Sequence, residues 1–298
     1  MSQPAIETRG LTKRYGSTEA LVDLDLEVSA GETFGYLGPN GAGKTTTIRL
    51  LLGLAQPSAG SASIFGLDCL GSATEVHRRV ASVPGDVSLW PSLTGAETLS
   101  LLGRVQGAFD PAYRDELIER FSLDPSRKVR TYSKGNRQKV ILIAALMARA
   151  DLLIFDEPTA GLDPLMERVF RDCVTEAADR GQTIFLSSHI LSEVEALCAR
   201  VGILRGGRLV EVGALGEMRH LAARSVEATF EGPVPELAGV EGVTELEVEG
   251  ATARCQVRGS MAPLLHALEG ATVVSLLSRE PSLEELFLAS YGEEPDRA

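Results

Sequence analysis

Gly38-Pro39-Asn40-Gly41-Ala42-Gly43-Lys44-Thr45 matches the spacing G-x-x-x-x-G-K-[ST]. Glycines let successive backbone N–H groups close around phosphate oxygens. A helix opening at the end of such a loop adds the positive end of its dipole. In that setting Lys44 faces the β- and γ-phosphates of a nucleotide, and the Thr45 hydroxyl faces a Mg²⁺ ion. Far downstream, Asp156 ends an apolar run and Glu157 follows it. A carboxylate at a strand end reaches the metal shell beside a phosphate loop. One residue further on, Glu157 suits a general base for the attacking water. An acidic pair at a strand end would equally suit a solvated turn, and it is the upstream loop that gives it meaning.

These residues need a scaffold. Glu32 to Gly38 reads as a buried strand and Lys44 to Ala55 as a helix, the strand–loop–helix context that the phosphate loop requires. Asp151 to Asp156 and Thr183 to Ser187 are short apolar runs of buried-strand type. Between them Pro164 to Asp179 reads as a helix, with Leu165, Val169, Cys173 and Ala177 at i, i+4 spacing. Asp163 is its N-cap and Pro164 its first residue. Strand, helix, strand with buried strands predicts an α/β fold around a parallel sheet with right-handed crossovers. From about 94 to 150 the pattern is helical only. Thr94 and Glu97 form a capping box, and Asp110-Pro111 opens a helix with Leu117, Ile118 and Phe121 on one face. This reads as a helical insertion. Val201 to Gly213 reads as a hairpin turning at Gly206-Gly207, an antiparallel edge on a mixed sheet.

Two domains are expected, 1–224 and 225–298. In the second, Val243 to Val248 and Thr252 to Val257 alternate around a turn, Met261 to Leu268 is helical, Thr272 to Leu277 is a strand, and Ser282 to Ala289 is helical. That is a small α+β unit. The 298-residue chain carries a net charge of −12. Fourteen acidic against four basic residues lie beyond residue 224, so the tail holds −10 and the rest −2. A near-neutral body with an acidic tail speaks against nucleic-acid binding. Phosphate must then be held by a local site rather than by a general field. No apolar run reaches the roughly 18 residues of a membrane span, and the first ten residues lack a basic-then-apolar signal. A protein neither membrane-spanning nor secreted is expected. Cys69, Cys173, Cys198 and Cys255 stand in no metal or redox spacing and read as reduced thiols, and His77, His220 and His266 read as incidental.

With these motifs in order, the chain from about Ile6 to Leu215 resembles the nucleotide-binding domains of ABC transporters. The resemblance implies ATP and Mg²⁺ as cofactors. It implies that Gly38 to Thr46 form the phosphate loop, and that Tyr15, in Lys13-Arg14-Tyr15-Gly16, stacks on adenine. Tyr132 to Gln138 falls where the family's signature motif opens a helix, so Ser133 and Gly135 would bind the γ-phosphate of ATP held by a second copy. Leu152 to Glu157 matches the second nucleotide motif and Ala160 to Asp163 the dimer-contact loop. His189, after Ser188, matches the switch histidine. An ATPase that closes as a dimer, a homodimer by this reading, and drives a separate membrane permease from the cytoplasmic face is implied.

Two departures stand out. The family's usual glutamine after a strand such as Val80 to Pro84 is replaced by Gly85 and then Asp86, and the signature reads Ser-Lys-Gly-Asn rather than Ser-Gly-Gly-Gln. Neither touches Lys44, Asp156, Glu157 or His189, so active hydrolysis is expected. Thr33-Phe34-Gly35, the altered signature and the tail from Glu280 to Phe287 resemble drug and antibiotic exporter ATPases of the daunorubicin-resistance type. An importer ATPase and a soluble, non-transport ABC ATPase are the alternatives. The segment from Trp90 to Thr94 with the helical insertion is a candidate docking surface for the permease.

Overall fold

The computed structural model describes residues 3–107, 109–221 and 223–279. It divides into two compact units, Met1–Val212 and Gly213–Ala298. The boundary falls twelve residues before the one read from composition.

The first unit opens with the long strands β1 (Ile6–Tyr15) and β2 (Thr18–Val28), followed by β3 (Thr33–Leu37) and α1 (Lys44–Leu51). Next come β4 (Ala59–Ile64), β5 (Leu67–Asp68), α2 (Ala73–Arg79) and β6 (Val80–Val83). Three helices follow, α3 (Gly95–Val105), α4 (Pro111–Arg120) and α5 (Lys134–Met147). The unit closes with β7 (Leu152–Asp156), α6 (Pro164–Asp179), β8 (Thr183–Ser188), α7 (Leu191–Leu197), β9 (Arg200–Arg205) and β10 (Arg208–Ala214).

The main sheet has six strands in the order β10-β9-β3-β8-β7-β6. Every pairing from β9 to β6 is parallel, as buried apolar strands joined by helices require. The hairpin at Gly206-Gly207 adds the antiparallel edge. A second, antiparallel sheet, β2-β1-β4-β5, lies outside the sequence reading. Its strands alternate with many polar residues, which weakens their apolar signal. The core joins both sheets. Phe34 stacks on Phe185 and Tyr36 tilts against the same ring. The Tyr36 hydroxyl meets Thr47 Oγ1 at 3.1 Å, tying α1 to the strand before the phosphate loop.

Local chemistry accounts for the helix ends. Thr94, Asp110, Ser133 and Asp163 cap α3, α4, α5 and α6 with their side chains. α1 stops at Leu51, short of the predicted Ala55. Gly53 takes φ 65° and the Leu54 N–H bonds back to Arg49 O at 2.8 Å, a left-handed stop. In α6 the buried face is Met166, Phe170, Cys173, Val174 and Ala177, and Leu165 points outward with 66% exposure. A strict i, i+4 row winds off a 3.6-residue helix, so the predicted row meets the true face only at Cys173 and Ala177. The three insertion helices stand as predicted, and among the described residues none between 94 and 150 belongs to a strand.

The second unit contains α8 (Leu215–Leu221), β11 (Arg224–Phe230), β12 (Val243–Glu249), β13 (Thr252–Val257), α9 (Ala262–Ala267) and β14 (Val273–Arg279). Its antiparallel sheet runs β12-β13-β11-β14. Val226, Ala228 and Phe230 alternate inward and join Cys255, Val257, Leu264 and Leu268 in a core of their own. β11 has no counterpart in the sequence reading, and the helix predicted over Ser282 to Ala289 lies outside the described residues. Among the described residues no helix is long and apolar enough to cross a membrane. All four cysteines are buried and free.

Candidate active site

Parallel pairing brings the carboxyl ends of β3, β7 and β8 to one edge. Leu37 pairs with Ser188, and Ser187 pairs with both Tyr36 and Asp156. The phosphate loop leaves β3 at this edge, and the acidic pair leaves β7.

The loop's backbone is built to close around something. Gly41 and Gly43 take φ 83° and 112°. A Cβ at Gly43 would stand 2.6 Å from Ala20 O, so only glycine fits. The Gly207 N–H of the β9–β10 hairpin holds Ala42 O at 2.9 Å, bracing the loop from behind. Unlike α3 to α6, α1 carries no side-chain cap. Its first N–H groups therefore remain available to an anion, with the dipole in favour.

Lys44 is 5% exposed. Its Nζ donates to Gly38 O at 2.5 Å and to Pro39 O at 3.3 Å, and it lies 3.3 Å from Glu157 Oε1. Glu157 holds φ 50°, a left-handed conformation stabilised by its N–H bonding to Ser187 O at 2.9 Å. Its Oε2 receives His189 Nδ1 at 2.5 Å. Its Oε1 is buried and accepts no hydrogen bond among the described residues, Lys44 approaching without hydrogen-bond geometry. Ion-paired with Lys44 and held by no hydrogen-bond donor among the described residues, Oε1 is placed to accept from a water.

Asp156 accepts from Thr45 Oγ1 at 2.7 Å and from Ser187 Oγ at 2.9 Å. Two hard oxygens, Thr45 Oγ1 and Asp156 Oδ2, thus sit side by side at the helix mouth. Among the described residues no cluster of three or more His, Cys, Asp or Glu could hold a metal alone. The pair fits Mg²⁺, which takes one or two protein oxygens and completes its shell with phosphates and water.

Tyr15 stands at the end of β1, 47% exposed, with Lys13 Nζ 4.8 Å from its ring centroid. Its free ring face suits base stacking. Ser133 caps α5, accepting from the Asn136 N–H at 3.2 Å, and Gly135 packs so closely on Gly161 that a Cβ would meet Gly161 O at 2.6 Å. Among the described residues no hydrogen bond joins Ser133 or Gly135 to Lys44, Asp156 or Glu157. Ser133 and Gly135 stand at the opening of α5, whereas Lys44 opens α1.

Gly85 and Asp86 follow β6. The Gly85 backbone passes the Asp156 carboxylate, since a Cβ there would lie 3.4 Å from Asp156 Oδ2, whereas Asp86 is exposed. Three residues that the sequence reading gives no role support the loops. Ser187 orients Asp156. Gln138 Nε2 donates to Pro158 O at 2.7 Å from within α5. Glu193, on α7, accepts from Thr159 Oγ1 and from Ser188 Oγ. Burial raises the Glu193 carboxyl above its usual range. A glutamate at the fifth residue after a buried strand was the only signal it offered.

The ABC transporter family profile matches residues 21–160. The chain is 40% identical to the daunorubicin/doxorubicin resistance ATP-binding protein DrrA of Streptomyces peucetius over 227 residues, 74% of this chain and 69% of that one. It is 36% identical to Nod factor export ATP-binding protein I of Cupriavidus pinatubonensis over 302 residues, 97% of this chain and 91% of that one. Among solved structures, an ATP binding subunit of an ABC transporter aligns with a TM-score of 0.67 at 33% identity, covering 72% of this chain and 92% of that one. With a braced glycine-rich loop, a carboxylate pair and His189 at one sheet edge, and relatives similar over most of their length, the chain belongs to the ABC transporter family as an ATP-binding, ATP-hydrolysing subunit.

Proposed function

We propose that this subunit powers an exporter of a drug, antibiotic or other small molecule. Two copies close on two ATP molecules and drive a separate membrane permease from its cytoplasmic face. The export reading is supported by the names of the relatives, one a drug-resistance and one an export ATP-binding protein. Closure as a dimer is supported by Ser133 and Gly135 opening α5, a helix N-terminus able to receive a phosphate carried by a second copy. Each composite site takes Tyr15, Gly38 to Thr46, Asp156, Glu157 and His189 from one copy, and Ser133 and Gly135 from the other.

The observation that carries the catalytic reading is Glu157, with one oxygen on His189 and the other ion-paired with Lys44 at 3.3 Å. On ATP binding, Lys44 exchanges its carbonyl and carboxylate contacts for β- and γ-phosphate oxygens. Glu157 Oε1, released from that cation, takes the proton of the attacking water. The His189 Nδ1–H fixes the carboxylate's direction. Thr45 and Asp156 would hold Mg²⁺, which neutralises charge on the phosphate oxygens when bound. Trp90, 48% exposed on the loop before α3, keeps the segment to Thr94 as our candidate permease contact.

Glu157→Gln tests the assignment. The amide cannot accept the proton, so turnover should fall about 10²–10⁴-fold, while ATP is retained and an ATP-dependent dimer accumulates in light scattering. Normal turnover in this variant would remove Glu157 from the base role.

A further inference from the structure

Glu157 and His189 sit on different loops, one after β7 and one after β8, and their contact at 2.5 Å is made by two partly exposed side chains. Side chains at that exposure do not fix one another; their backbones must be held. A single buried carboxylate contacts both backbones' neighbours. Glu193 is 7% exposed. One of its oxygens accepts from Thr159, two residues after Glu157, and the other accepts from Ser188 at 2.9 Å, the residue before His189. Ser188 Oγ in turn receives the Ile190 N–H at 2.9 Å, pinning the far side of His189.

The carboxylate's own position is firm. α7 lies flat on β3 because Gly35 leaves room. A Cβ there would come within 2.3 Å of Val194 Cγ1, on the residue next to Glu193. Thr159 is likewise buried, in a loop held at Pro158 by Gln138. Nothing in phosphate binding, metal holding or proton transfer uses Glu193. Burying a carboxylate is costly unless it is hydrogen-bonded, and here both bonds go to the two catalytic loops.

We propose that Glu193 is a positioning residue for hydrolysis, a clamp that sets the Glu157 and His189 loops at one spacing. It does so by accepting hydrogen bonds from Thr159 and Ser188. The inference rests on the reading of Glu157 as base and His189 as its partner.

The test is steady-state ATPase kinetics of the full-length protein for Glu193→Ala, Glu193→Gln, Thr159→Val and the Glu193→Ala/Thr159→Val double variant, beside Glu157→Gln and His189→Ala. A catalytic group misplaced by about 1 Å loses on the order of a hundredfold in rate. Glu193→Ala should therefore lower kcat roughly ten- to a hundredfold and leave KM for ATP within about twofold. Glu193→Gln keeps one acceptor and one donor and should recover much of the loss. Thr159→Val keeps the volume and should lose kcat in the same direction. The double variant should lose no more than Glu193→Ala alone, because both act through one contact. If Glu193→Ala fails to fold, Thr159→Val and Glu193→Gln carry the test. Wild-type kcat in both, or a loss confined to KM, overturns the clamp. Should Glu157→Gln and His189→Ala turn over normally, the underlying reading fails instead. Impairment of those two with Glu193 variants unaffected rejects the clamp alone.

Discussion

At the scale of single residues, Lys44 sits in a buried pocket of protein oxygens. Two backbone carbonyls and one carboxylate oxygen lie within 3.3 Å of its ammonium. A buried cation needs such partners, and each of them is replaceable by a phosphate oxygen. Lys44→Ala removes the cation that lies 3.3 Å from Glu157 Oε1. We expect ATP hydrolysis to fall about a hundred- to a thousandfold, in line with loss of one preorganised electrostatic contact, and nucleotide affinity to weaken. Phosphate release and fluorescent-nucleotide titration measure the two effects. Activity within a few-fold of wild type would contradict the site as described.

At the scale of elements, two glycines decide how closely strands and helices approach. Gly43 lets α1 begin against the first β-hairpin. Gly35 lets α7 lie on β3, with Val194, Val201 and Cys198 crowding its α-carbon. Gly35 is not in a left-handed conformation, so substitution acts through packing alone. Gly35→Ala places a methyl 2.3 Å from Val194. Overpacking of this kind costs about 1–3 kcal/mol. For a unit of this size that corresponds to a melting temperature lower by about 2–12 °C. Differential scanning calorimetry checks it, and an unchanged Tm would show that α7 shifts freely on the sheet. α7 carries Glu193, so the same variant should also lower kcat.

At the scale of the whole molecule, the charge and the chemistry lie apart. The residues proposed for ATP end at His189, while most of the net negative charge lies beyond residue 224. The second unit has its own core, from Val226 to Leu268, and its own sheet. Removing residues 225–298 should therefore leave nucleotide affinity within a few-fold of the intact chain. Isothermal titration with ATP on the truncated protein measures this. A well-folded truncation that no longer binds ATP would show that the division into an ATPase unit and an accessory unit is wrong.

The chemistry and its order along the chain were legible in the sequence because both rest on local rules. A glycine-rich turn between a buried strand and a helix can be recognised without knowing what surrounds it. So can the helix starts at Thr94, Asp110 and Asp163, since each is a contact between residues a few positions apart. The inward face of α6, Met166, Phe170, Cys173, Val174 and Ala177, follows the 3.6-residue period, and it was the strict i, i+4 row that drifted from it. Tertiary structure alone decided what meets across distance. The β2-β1-β4-β5 sheet was not legible, since pairing between distant strands leaves little trace in either strand. The roles of Ser187, Gln138 and Glu193 were hidden for the same reason. A serine, a glutamine or a glutamate is an ordinary polar residue in a sequence, and it acquires a function only when parallel pairing brings three strand ends to one edge.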